Sequence, residues 1–171
     1  LATGLPEKVV VEMEVLGPRW TIADQLTLYA NGIPILEKKF RGAQDKVQKA
    51  NLRYVMDRPK HDLYLVAIAT GPGVTKPYWE IPRPYQHKTN KYVPRVLGAT
   101  NPVWLDGDGD GLFTFPNEYA KQLVVKTKGD LGQVIKALAD YDQSITVQAA
   151  GILSEGGIKL DGKQAKAQWE K

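Results

Sequence analysis

Three aspartates stand on alternate positions, separated by glycines, in WLDGDGDGLF, residues 104–113. Calcium is a hard ion that takes about six to eight oxygens, many of them from carboxylates. A D-x-D-x-D-G loop wraps such an ion from alternate positions. Asp106, Asp108 and Asp110 fall at positions 1, 3 and 5 of that pattern, Gly111 at position 6, and Leu112 at position 7, where a backbone carbonyl serves. The closing position 12 is Asn117, and the acid, Glu118, comes one residue later. The front half of the motif is therefore intact and the back half altered. Glu118 closes such a site only with different loop geometry, and Asn117 is a neutral, weaker ligand. Carboxylates this close repel each other without a cation, which favours an ion-bound loop over a bare Gly/Asp turn. Trp104 and Phe113 flank the loop and are expected to pin it to the core.

A second candidate lies in residues 71–94, GPGVTKPYWEIPRPYQHKTNKYVP, with five prolines and the aromatics Tyr78, Trp79, Tyr85 and Tyr92. Irregular stretches of this length are often functional. Tyr78, Trp79 and Tyr85 are candidates for a platform that grips a carbohydrate or a protein surface. The alternative is a loop folded back so that its aromatics cover the core.

Other chemistry is thin. The chain has no cysteine, which excludes disulfides, thiolate zinc sites and cysteine nucleophiles. Its two histidines, His61 and His87, are too few for a histidine-rich catalytic metal site and read as exposed loop residues without catalytic partners. No G-x-S-x-G, P-loop or dinucleotide fingerprint occurs, and GPGV at 71–74 has no helix after it to cradle a phosphate. This chain alone is not expected to be catalytic.

The elements around these candidates follow from periodicity. KVVVEMEVLG alternates Val9, Val11, Met13 and Val15 against Val10, Glu12 and Glu14, a strand with one buried face. In DQLTLYANGIPIL, Asn31-Gly32 supplies a tight hairpin, and with Pro34 lacking an N–H the return strand either lies at an edge or leaves the sheet there. KANLRYVMD is a further strand, DLYLVAIATG a central one, and RVLGATNPVWL supplies one or two short ones. PNEYAKQLVVK then reads as a helix with Pro116 in its first turn. From Asp130, a plausible N-cap, apolar residues fall at Val134, Leu138, Tyr141, Ile145, Ala149 and Ile152, a helical stripe through 154 with a break near Asp142. Residues 156–171 form a polar, basic tail, either mobile or docked through Trp169. Strands followed by helices make the class α+β: a single domain with a mainly antiparallel β-sandwich over about 8–105, a calcium-type loop at 106–118 and helices over about 116–154.

The 171 residues, 43% hydrophobic and 25% charged, describe a globular chain with a sizeable core. No apolar run is long enough for a membrane span. The net charge of +4 is spread out, which speaks for a solvated basic surface and against nucleic-acid binding. The start at Leu1 suggests a mature form or a piece of something longer.

Read together, VLGPRWTIADQLTLYANGIPI, AIATGPGVTKPYW, RPYQ, VLGATNPVWLDGDGDGLFT with its following EYA, and ALADYDQSITVQAAGIL resemble the C-terminal region of bacterial PHP-superfamily metallohydrolases of the CehA/McbA type. The resemblance spans roughly residues 9 to 154. It implies an Ig-like sandwich followed by helices, carried as a non-catalytic accessory region behind an N-terminal hydrolase domain. It also implies export, to the periplasm or outside the cell. The family's catalytic His-x-His is absent here, so no catalytic residue carries over. Asp106, Asp108 and Asp110 match the family's aspartate-glycine phrase, and Glu118 its following acid.

Overall fold

The computed structural model describes residues 1–41, 46–74 and 95–157. Among them the chain forms strands β1 (Lys8–Leu16), β2 (Gln25–Ala30), β3 (Ile33–Lys39), β4 (Gln48–Asp57), β5 (Leu63–Gly71), β6 (Val96–Ala99) and β7 (Val103–Leu105), then helices α1 (Pro116–Lys126), α2 (Leu131–Leu138) and α3 (Gln143–Glu155). The class is α+β, with antiparallel sheets in a sandwich-like arrangement. No helix among the described residues is long and apolar enough to cross a membrane. The sequence suggests one domain; the chain groups into two compact units, one of Pro6–Arg58 and Tyr64–Val103, the other of Leu1–Leu5, Pro59–Leu63 and the chain from Trp104 on.

The first is a sheet unit. β1 pairs antiparallel with β4, and the register sets Val9 opposite Met56, Val11 opposite Tyr54 and Met13 opposite Leu52. Because side chains alternate between faces, these pairs share one face, and the exposed Val10, Glu12 and Glu14 lie on the other. The second sheet runs β3-β2-β5-β6. Its β2–β3 hairpin turns on Asn31 and Gly32, both at positive φ (48° and 83°), as the Asn-Gly pair predicts. Pro34 lies in β3 at the end of this strand order, where its missing N–H leaves no ladder bond unmade. The sequence gives no warning of Lys49, which is buried in β4. Its ammonium donates to the carbonyls of Lys46 (2.6 Å) and Arg19 (3.3 Å). Burial of the long stem is tolerable because the charged end finds carbonyl oxygens.

The second is a loop-and-helix unit. The helical stripe read from the sequence is its core: Val134, Ile145 and Ala149 are fully buried with Tyr119, Ala120, Leu123 and Leu153, and Leu138, Tyr141 and Ile152 pack against them. Burying side chains of this size contributes about 1.5–3 kcal/mol each. The stripe is carried by two helices, each started by an aspartate. Asp130 accepts from the Gln133 N–H (2.8 Å) and Asp142 from the Ile145 N–H (3.0 Å). The expected break near Asp142 is thus an N-cap, which satisfies an amide the helix cannot. Pro116 opens α1 where its missing N–H costs nothing. The tail from residue 158 lies outside the described residues, Trp169 included.

Candidate metal centre

The aspartate loop follows β7 and belongs wholly to the loop-and-helix unit. It is wound around Asp106, whose side chain is buried. One Asp106 oxygen accepts from the Gly109 N–H (2.6 Å) and the other from the Gly111 N–H (3.0 Å). Gly109 and Gly111 both take positive φ (84° and 82°), a conformation open to glycine without the Cβ penalty. Asp108 Oδ1 accepts from the Asp110 N–H (3.2 Å) and Asp110 Oδ1 from the Leu112 N–H (2.8 Å). Trp104, Phe113 and Phe115 meet edge to face beside the loop, with centroids 4.5 to 6.1 Å apart; Trp104 and Phe113 are half-buried and Phe115 is exposed.

A residue not singled out in the sequence completes the geometry. Asp62 is fully buried. Its Oδ1 accepts from the Gly107 N–H (2.8 Å), 45 residues away in sequence, and its Oδ2 from the Thr114 N–H (2.7 Å). One carboxylate therefore ties together both ends of the loop. The approach is so close that a Cβ on Gly107 would stand 2.0 Å from the His61 carbonyl oxygen. Tyr119, on α1, joins the network: its hydroxyl accepts from the Asp62 N–H (3.1 Å) and donates to Asp108 Oδ2 (2.6 Å). Burial pushes the Tyr119 phenol well above the ordinary tyrosine range. Its donation to Asp108 and the charges of Asp62 and Asp108 act in the same sense, against the opposing Asp62 amide. The phenol is therefore neutral, a donor, at any physiological pH.

Asp62, Asp108 and Asp110 bring one carboxylate oxygen each to within 4.8 Å of one another, an arrangement that could hold a metal ion. Asp62 is buried and the other two are exposed. Of the residues chosen from the motif, the structure gathers Asp108 and Asp110 into this group. Asp106 is not in it, and both of its oxygens hold loop amides. Leu112 and Asn117 are exposed, and Glu118 pairs with Lys121 at 2.7 Å on the surface of α1. Tyr78, Trp79, Tyr85 and His87 lie outside the described residues.

His61 corrects an expectation. It is not an exposed loop histidine but is buried, with Nε2 3.1 Å from Asp142 Oδ2. Its ring lies against Tyr119 and Tyr141, at centroid distances of 6.0 and 5.6 Å. The turn RPKH looked polar enough to be solvated. Arg58 and Lys60 are indeed exposed, but His61 itself is covered by Tyr119 and Tyr141 from far along the chain. The signal in the sequence that points to Asp62 is its place directly before the apolar run LYLVAIA, where a carboxylate must either leave the core or find donors within it. Compared with protein-family models, curated proteins and solved structures, the chain matches none.

Proposed function

We propose that the chain is a non-catalytic accessory module whose loop-and-helix unit is stabilised by a structural calcium ion. The observation that carries this reading is the convergence of Asp62, from a distant segment, with Asp108 and Asp110 of the loop. Carboxylates held within a few ångströms repel one another, and a divalent cation turns that cost into a cross-link. Calcium suits an all-oxygen group with exposed members, and weak sites of this kind work at extracellular calcium levels. The larger assignment rests on the sequence phrases given above. It makes the module an Ig-like accessory region of an exported PHP-type metallohydrolase, with the N-terminal hydrolase domain as its partner.

A ligand that binds only the folded state stabilises it, by about 2.7 kcal/mol at a hundredfold excess over Kd. Calcium is expected to raise the melting temperature, chelator to reverse the rise, and magnesium at equal concentration to do less. Asp110→Asn should remove the calcium response while leaving the chain folded, because Asp110 is exposed and accepts from a loop amide, the Leu112 N–H. An unchanged melting temperature in saturating calcium overturns the calcium reading. The hydrolase parentage is tested separately, by mass spectrometry of the native protein for peptides upstream of Leu1 that contain His-x-His.

A further inference from the structure

The loop presents three consecutive Asp-Gly steps: Asp106-Gly107, Asp108-Gly109 and Asp110-Gly111. Asp-Gly is the dipeptide most prone to spontaneous isomerisation, because glycine has no side chain to shield its nitrogen. The glycine nitrogen attacks the aspartate Cγ. A C–N bond forms, and the carboxyl oxygen leaves as water with the amide proton. Water then reopens the five-membered imide at either carbonyl. Opening at the α-carbonyl leaves isoaspartate, of unchanged mass, with the main chain routed through one extra methylene. The reaction needs only water and an amide nitrogen free to reach Cγ.

In this fold all three nitrogens are engaged by carboxylates. Gly107 donates to Asp62, and Gly109 and Gly111 both donate to Asp106. Asp106-Gly107 is buried as well, so it is shielded twice. The other two steps carry exposed aspartates and depend on the amide bonds. We propose that the buried Asp106 carboxylate is a guard residue that suppresses isoaspartate formation at Asp108 and Asp110, and that these two positions are the loop's latent modification sites. The two are not equally protected. Asp108 has both oxygens occupied, by the Asp110 N–H and the Tyr119 hydroxyl. Asp110 has one bond of this kind, to the Leu112 N–H, and its glycine is held at the longer distance, 3.0 Å against 2.6 Å. Asp110 should therefore convert first. An added methylene there would shift its carboxylate away from Asp62 and Asp108. The proposal does not depend on calcium and is tested without it.

The test incubates the full chain for weeks at neutral pH in chelator, then maps isoaspartate by peptide mass spectrometry with enzymatic isoaspartyl methylation. Conversion at Asp108 and Asp110 should be at least about tenfold slower in the folded chain than in urea, since reaction proceeds only through the opened loop. Equal rates overturn the proposal. Asp106→Ala, still folded by near-ultraviolet circular dichroism, should raise both rates, with Asp110 ahead. Asp130→Ala, which removes the α2 cap and leaves the loop bonds, should not. A folded Asp106→Ala variant that stays slow overturns the role given to Asp106. Should that variant not fold, hydrogen exchange in the unaltered protein decides: protected Gly109 and Gly111 amides support the guard, and exchange at the free-peptide rate overturns it.

Discussion

The Asn31-Gly32 hairpin and the 106–114 loop are both short polar turns with positive-φ residues, and they are held by different means. In the hairpin the turn is set by two adjacent residues and the ladder that brackets them, with Ala30 paired to Ile33. The Asn31 side chain also accepts from the Tyr64 N–H at 3.1 Å. In the loop the backbone is wound around Asp106, and both ends are tied by Asp62 from a remote segment. A turn fixed by local φ preference tolerates change around it. A loop fixed by buried carboxylates depends on partners far along the chain.

The comparison is most directly broken at its glycines. Gly107→Ala should abolish the folded loop, because the new methyl meets the fixed His61 carbonyl 2.0 Å away. Gly32→Ala meets only the Tyr64 hydroxyl at 3.8 Å. It should cost about 1–2 kcal/mol, the price of a left-handed conformation for alanine. Urea unfolding followed by far-ultraviolet circular dichroism checks both, and equal losses would remove the distinction. Next in size, Asp62→Asn weakens two charge-assisted bonds and should cost about 3 kcal/mol, at roughly 1.5–3 kcal/mol for each hydrogen bond to a charged group. A loss below that of Gly32→Ala would show that Asp62 is not the anchor. The smallest effect sharpens the contrast within one unit. Asp130→Ala removes a cap whose partner is only three residues away and should cost about 1 kcal/mol by the same measurement.

Much of the frame was legible because it repeats. β1 shows its buried face as period two, and Val134, Ile145 and Ala149 show theirs at helical spacing. Asp130 and Asp142 announce helix starts because a cap acts within three residues of its partner. The site was legible in half. Asp108 and Asp110 stand out by spacing, but Asp62 carries no local pattern, and Asp106 looks the same as its neighbours until its bonds are seen. The burial of His61 and Lys49 was hidden for a related reason. Neither polar side chain advertises the partners that let it leave water, Asp142 for His61 and the Lys46 and Arg19 carbonyls for Lys49.

By itself the sequence determined the α+β order, the hairpin, the helix starts and a loop crowded with carboxylates, since each follows from interactions within a few residues. Tertiary structure alone decided which carboxylates meet. It turned Asp106 inward to hold amides, brought Asp62 up to Asp108 and Asp110, and covered His61 with aromatic rings. A buried charge must be matched by donors, and when those donors lie 45 residues away only the folded chain can supply them.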